Sequence, residues 1–447
     1  MEINTEFNFF QQWYPVAPVE DLDPSKPTPI TILGMRLVVW KPGNSDKFRI
    51  FLDECPHRLA PLSEGRIDEK TGNLSCAYHG WEFDHSGICT RIPQAENPEI
   101  VTKNQQNFCT VAFPVQEAND LLWVWPDPNS PELAQKTALP LSPSIDASKG
   151  FVWYSYVREL EYDWQTLVEN QVDPSHVPFV HHGILGSRYQ AGPMLIKIVE
   201  STPEIIITKI ERKLATTITF DPPCRVEYER IWDEEQGKQD SLILYCVPVL
   251  PGKSRLIFQQ AQNFDKTKYQ LTPRWWKHLQ EDSLASDGDV VLLYQQDRIV
   301  QQKPKSANWK DIYNLPTTAD RMVIEFRRWF DKYCHGELPW RQLGINPELY
   351  PSNENRASIL NRYDKHTRHC HSCRETLKWV ERWQIILLAY FAITVTTVAV
   401  LPDATRYSWF GLTFTATALL GLVVWAWLRF WWQPRFYFLD YVHQEKK

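Results

Sequence analysis

Cys55-Pro56-His57 and Cys76-Ala77-Tyr78-His79-Gly80-Trp81, with eighteen residues between His57 and Cys76, are the stretches from which the fold of this chain is read. Each stretch pairs one thiol with one imidazole on a short loop. Four such ligands suit a tetrahedral zinc ion. They equally suit an iron–sulfur cluster with thiolates on one iron and imidazoles on the other, where neutral ligands raise the reduction potential. Outward from the loops the chain alternates like short strands. TPITILGMRLVVWK (28–41), a Pro42-Gly43-Asn44 turn and KFRIFLD (47–53) precede them, while VAFPVQ (111–116) and LLWVW (121–125) follow. Residues 1–125 therefore read as a small all-β unit that projects two ligand loops.

Pro126, Pro128, Pro131, Pro140 and Pro143 mark 126–149 as a linker. Residues 150–345 mix types. DWQTLVEN (163–170) begins like a helix, and PEIIITKIERKLATTITF (203–220), SLILYCVPVL (241–250) and RLIFQQAQNF (255–264) are β-branched runs. Helical patterns return around 274–300 and 319–334, so this unit is expected to be α+β. A connector at 346–384 leads to two uncharged runs, Ile385–Leu401, closed by Pro402, and Ser408–Leu428, flanked by Trp409, Trp425, Trp427, Trp431 and Trp432. Seventeen residues of helix span about 26 Å, enough to cross a bilayer core. A transmembrane hairpin over 385–428 with a tail at 429–447 is expected, the alternative being two buried core helices. Lys378, Arg382, Arg429 and Arg435 flank the pair, which places the rest of the chain on the cytoplasmic or stromal side.

Composition agrees with folded units. Of 447 residues, 43% are hydrophobic and 23% charged, which excludes disorder. The net charge of −6 provides no basic field for nucleic acid. Nine Cys, few and odd in number, point to free, metal-bound or redox cysteines in a reducing compartment. The start, MEINTEFNFFQQWYPVAP, has no basic residue and no long apolar run, so neither a secretory signal nor a transit peptide is expected there.

Gly80-Trp81-x-Phe83 and Gly87 after the second loop, with Pro56 inside the first, resemble the Rieske [2Fe–2S] domain and favour a cluster over zinc. The resemblance assigns Cys55, His57, Cys76 and His79 as cluster ligands. Downstream, Asn170-x2-Asp173-x2-His176-x4-His181 resembles the catalytic domain of Rieske mononuclear iron oxygenases. Two imidazoles and one carboxylate form the facial triad of such enzymes. His176 and His181 match the iron ligands, and His182 falls off the spacing. The third ligand is expected in EDSLASDGDVVLLYQQDR (281–298). Asp289, followed by an apolar turn and Gln296, fits the family pattern, with Asp287 and Asp282 as alternatives. Asp173 is implied to link an iron-bound histidine to the cluster histidine of a neighbouring subunit, and hence a head-to-tail trimer.

DWQTLVENQVDPSHVPFVHHG (163–183) further resembles the pheophorbide a oxygenase branch of oxygenic phototrophs, which includes chlorophyllide-oxidising enzymes and a translocon-associated relative. Members commonly carry Cys-x-x-Cys ahead of two membrane helices, as Cys370-His371-Ser372-Cys373 stands here; chlorophyllide a oxygenases typically lack the pair. The family implies thioredoxin-type redox control for it. With His366, His369 and His371 nearby it could instead bind zinc, or be a plain surface pair. The resemblance implies an oxygenase that uses O2 and electrons from ferredoxin or a separate reductase, since the chain has no G-x-G-x-x-G. Its expected substrate is an apolar tetrapyrrole, and its place a thylakoid, plasma or envelope membrane. The rival expectation is a membrane redox sensor without turnover.

Overall fold

The computed structural model describes residues 6–97, 99, 105–211, 214–304, 308–347 and 355–443. The first residues of the chain, part of the 346–384 connector and the end of the tail lie outside them. The chain divides into two compact units, Met1–Leu271 with Leu292–Glu354, and Thr272–Val291 with Asn355–Lys447.

In the first unit the all-β expectation for the N-terminal part holds. Thr28–Ile32, Met35–Trp40, Arg49–Leu52 and Ala112–Phe113 pair in that order as an antiparallel sheet. Arg66–Ile67, Leu74–Ser75, Glu82–Phe83 and Cys89–Arg91 form a second small sheet; the Cys76–His79 loop joins its two middle strands, and the Cys55–His57 loop lies between the first sheet's Arg49–Leu52 and this one. A third sheet pairs Leu121–Val124 with Tyr14–Pro18 and Val115–Ala118.

The α+β part is built on seven antiparallel strands. Their order is Val152–Leu160, Lys253–Gln262, Lys238–Leu250, Arg225–Asp233, Ala215–Asp221, Ile206–Ile210 and Ile196–Ser201. Four of them, Ile206–Ile210, Ala215–Asp221, Lys238–Leu250 and Lys253–Gln262, fall on the β-branched runs of the sequence, whose branched side chains fit a pleated, half-buried surface. The helix Trp164–Val172 lies against this sheet, because Trp164 is fully buried among Phe9, Phe326 and Phe330 and donates its indole N–H to Cys246 O at 3.0 Å. The helix Arg321–Cys334 supplies the last two of those rings.

The segment 126–149 is folded rather than a free tether. It contains the helix Pro131–Lys136, Ser142 Oγ donates to Glu227 Oε1 at 2.5 Å, and Ser144 Oγ lies 2.8 Å from Ser241 Oγ. Leu33 and Gly34 N–H also donate to Pro248 and Val249 O, both at 2.8 Å. These bonds make the N-terminal sheets and the seven-stranded sheet one compact body.

The second unit is helical. Arg274–Lys277 runs through a π turn, His278–Asp282, into Ser283–Gln301, whose later residues belong to the first unit. A second π turn, Tyr363–Thr367, precedes the 30-residue helix His371–Val400. Trp409–Trp427 returns beside it and continues through another π turn to Tyr437. Tyr390 OH meets Thr417 Oγ1 at 2.7 Å, and Arg406 closes the turn by donating to the carbonyls of Val398, Ala399 and Leu401. Both helices are long and apolar enough to cross a membrane.

Candidate metal centres

The two Cys/His loops are built alike. In each, the cysteine carbonyl accepts the N–H four residues on, from Leu59 at 2.8 Å and Gly80 at 3.0 Å. In each, the cysteine N–H donates to the carbonyl five residues on, Ala60 at 2.8 Å and Trp81 at 2.9 Å. The fourth residue after each cysteine has positive φ, 59° at Leu59 and 71° at Gly80. Gly80 is also demanded by packing, since a Cβ there would meet Pro93 Cγ at 3.1 Å.

Burial across the four side chains is uneven. Cys55 and Cys76 sit in a core with Trp40, Phe51, Leu62 and Phe83, whereas His57 is exposed and His79 half-buried. The imidazoles approach with centroids 4.6 Å apart, and His57 stacks on Trp81 at 4.7 Å and 7°. Burial pushes the Cys55 thiol up to about 12. A bare thiolate is therefore disfavoured, and a cationic iron pair supplies the missing positive charge. Buried thiols and outward imidazoles fit a [2Fe–2S] cluster whose histidine edge meets the surface.

The second set lies beyond the helix Trp164–Val172. Residues 173–176 form a turn, not a helical continuation, with Asp173 in extended conformation as the C-cap. Its Oδ1 accepts Ser175 N–H at 2.7 Å and Ser175 O–H at 2.5 Å, and its Oδ2 then lies 3.7 Å from His176 Nδ1. The short helix Val177–Val180 has Pro178 in its first turn and is capped by His176 and His181, whose rings lie 5.2 Å apart. Asn170 Nδ2 is 3.5 Å from His176 Nε2. His182 instead accepts Arg188 N–H on Nδ1 at 3.2 Å and belongs to the next loop. Burial raises the Asp173 pKa, but bonds from His176 and Ser175 outweigh it and hold the carboxyl below its ordinary value. Ionised Asp173 thus faces Nδ1, the kind of arrangement in which a carboxylate can orient an imidazole and leave Nε2 for a metal.

Of the three candidate carboxylates, Asp282 ends the π turn His278–Asp282, while Asp287 and Asp289 lie on Ser283–Gln301. Asp287 is fully enclosed with Arg362, and Asp289 is half-buried. Cys370 and Cys373 are both buried, and in place of His369 and His371, which are exposed, they meet His278 and His366. Burial would raise the Cys370 thiol, yet bonds from Cys373, His278 and His366 outweigh it and hold it well below its ordinary value.

Sequence reasoning missed a buried network around the helix Trp164–Val172. Glu169 is paired with Arg327 and accepts Tyr313 O–H at 3.3 Å. Asp297 accepts Thr166 O–H at 2.7 Å and Gln301 N–H at 2.8 Å. Polar residues inside helical patterns read as solvated faces, so only tertiary contact reveals them.

Residues 12–111 match the Rieske [2Fe-2S] domain family, and residues 220–307 match the family described as pheophorbide a oxygenase. The chain is 38% identical to the chloroplastic pheophorbide a oxygenase of Oryza sativa subsp. japonica, over 98% of this chain and 86% of that protein. The chain belongs to the pheophorbide a oxygenase family. Within this family of Rieske oxygenases it is also 34% identical to flavonoid 8-hydroxylase 2 of Ocimum basilicum, with the same coverage of both chains. The crystal structure of dicamba monooxygenase shares the fold, with TM-score 0.57 and 19% identity over 73% of this chain and 98% of that one. The family member described here is thus an oxygenase with one [2Fe–2S] cluster and one mononuclear iron.

Proposed function

We propose that this oxygenase is anchored in a membrane of an oxygenic phototroph and oxidises a chlorophyll-derived tetrapyrrole of the pheophorbide or chlorophyllide type. One observation carries the reading: the likeness to a pheophorbide a oxygenase runs through 98% of the chain, and so includes both ligand loops, the His176–His181 turn and the apolar helices. In this reading Cys55, His57, Cys76 and His79 hold the cluster. His176, His181 and Asp289 hold the mononuclear iron, each offering one donor atom, two imidazole nitrogens and a carboxylate oxygen. Asp289 is favoured over Asp287 because Asp287 is committed to Arg362. When bound, the iron supplies oxygen activation and the cluster supplies single electrons.

The chain's own residues then have definite tasks. Asp173 fixes the His176 tautomer, and Asn170 stands beside the Nε2 face. The Asp173 side chain keeps 26% of its surface exposed, leaving an oxygen lone pair for an imidazole N–H of another subunit. Exposed His57 is the complementary group, which favours a head-to-tail homotrimer. Ile385, Ile393, Trp409, Leu420 and Val423 are each more than half exposed, an apolar surface suited to lipid rather than water. Basic Lys378, Arg382, Arg429 and Arg435 at its border favour a cytoplasmic or stromal position for the rest of the chain.

The deciding experiment is O2 uptake by the detergent-purified chain with reduced ferredoxin and a panel of tetrapyrroles, followed by mass analysis. A product heavier by oxygen from a tetrapyrrole is expected. Oxidation of flavones alone would transfer the reading to the flavonoid-hydroxylase side of the family. No uptake with any substrate would favour a redox sensor.

A further inference from the structure

His278, His366, Cys370 and Cys373 come from three separate segments of the second unit and converge inside it. All four donor atoms lie within 4.8 Å of one another, and every one of these side chains is buried. Cys373 Sγ is 3.3 Å from His366 Nε2 and 3.6 Å from His278 Nδ1, and Cys370 Sγ is also 3.6 Å from His278 Nδ1. A tetrahedral zinc with ordinary Zn–S and Zn–N bonds requires sulfur-to-nitrogen edges of about 3.6 Å. The observed edges match that figure to a few tenths of an ångström.

We infer that these four side chains form a structural Cys2His2 zinc site, separate from both iron centres. Three features support a resident ion over a simple dithiol. Both histidines lie in π turns, distortions of the helical ladder that are frequent at functional sites. The two rings stand at 81° with centroids 4.9 Å apart, so they approach one point from different directions rather than stacking. The four donors are sealed by Leu279, Leu377, Trp432 and Phe436, which suits a closed four-coordinate ion and hinders a protein disulfide reductase. A second [2Fe–2S] cluster would have to separate its cysteine pair from its histidine pair by more than one ion's width, and here sulfur and nitrogen are edge neighbours.

The ion takes both sulfurs as thiolates, any remaining thiol proton going to solvent, and no oxidation state changes. The ion joins the first residue of one π turn to the start of the helix His371–Val400, closing a loop of 92 residues between His278 and Cys370. The helical run that begins at Arg274 also carries Asp289, so the zinc would steady the segment that bears this carboxylate.

The test is metal analysis of the full chain, purified in detergent from zinc-replete cells. One zinc per chain beside the iron is expected. His278→Ala should lower zinc content about tenfold or more while leaving the Rieske optical spectrum unchanged. That loss would not follow for a redox dithiol, which needs no distant imidazole. If the variant fails to fold, cells grown on cobalt provide the second reading: thiolate-to-cobalt charge transfer with tetrahedral ligand-field bands supports the site. A zinc-free chain with full iron and a Cys370–Cys373 disulfide, or an extra iron in place of zinc, would overturn it.

Discussion

Arg362 and Asp287 form an ion pair in which neither side chain touches solvent, with Nη2 at 2.7 Å and Nε at 2.8 Å from one carboxylate oxygen. Arg362 also donates to Arg435 O at 3.3 Å, so the pair links three segments of the helical unit. Removing one partner leaves an uncompensated buried charge, a loss of about 3–5 kcal/mol. Asp287→Ala should therefore lower the melting temperature of the whole chain sharply. Asp289→Ala should leave melting nearly unchanged and remove the mononuclear iron. Metal analysis and calorimetry on both variants separate the roles, and a reversed pattern would make Asp287 the ligand.

Asp173 and His176 allow a complementary test. Ala at His176 or His181 should remove one of three irons per chain and leave the cluster spectrum intact. Asp173→Asn should keep all three irons and a reducible cluster, because the amide still accepts from Ser175. Turnover should nevertheless fall about 10–100-fold, the usual cost of altering the group that orients a metal-bound imidazole. Normal turnover in that variant would remove Asp173 from the electron path.

These assignments differ in how far they were legible in the chain. The ligand loops were readable because each Cys and His are separated by one or two residues and one loop geometry is used twice. His176 and His181, separated by four residues, were read from a resemblance to the catalytic domain, with Pro178 in the short helix between them. Asp289 was preferred over Asp287 by resemblance alone, since both fit a helical register, and only packing brings Arg362, 75 residues away, against Asp287. His278 carried no local signal either: its meaning depends on Cys370, far along the chain, whereas the nearer His369 and His371 point to solvent. Local spacing encodes loops, and buried polar partners drawn from distant segments emerge only with packing.

Asp297 gives the protein a pH dependence of known sign. Burial, then the charge of Asp163, raises its carboxyl to about 7, against about 4 in the unfolded chain. Between those values the native state keeps a proton that the unfolded state has released. This contribution is complete below about pH 4 and is lost as pH rises through about 7. Asp297→Asn abolishes the titration and can keep accepting from Thr166. The stability of the variant relative to the parent should rise by roughly 2 kcal/mol between pH 5 and pH 8. Melting curves at several pH values check this, and a constant difference would show that Asp297 is ionised throughout.

The C-terminal helices predict how the anchor can be removed. Cutting the chain near Arg374 looks simple on the sequence, because every proposed iron ligand precedes it. In the structure the segment after the second long helix returns into the helical unit. Phe436 is fully buried and its carbonyl accepts Thr367 O–H at 2.8 Å, Asn361 bridges to Phe438, and Arg356 pairs with Asp440 at 2.7 Å. Truncation at Arg374 removes Leu377, Trp432 and Phe436, so it should expose the core around Leu279, Cys370 and Cys373, and the product should aggregate. Excising only Ile385–Leu428 is different. Gln384 Nε2 and Gln433 Oε1 are 3.2 Å apart, so the two helix stumps lie side by side and a Gly/Ser loop of about five residues can join them. This shortened chain should fractionate as soluble protein with its cluster spectrum and iron content retained. Oxidation of detergent-dispersed substrate should persist while oxidation of substrate in vesicles falls, because the anchor raises local concentration at the bilayer. Aggregation of the excised form, with the truncated form remaining soluble, would mean that the two long helices are packing elements of the fold and not its anchor.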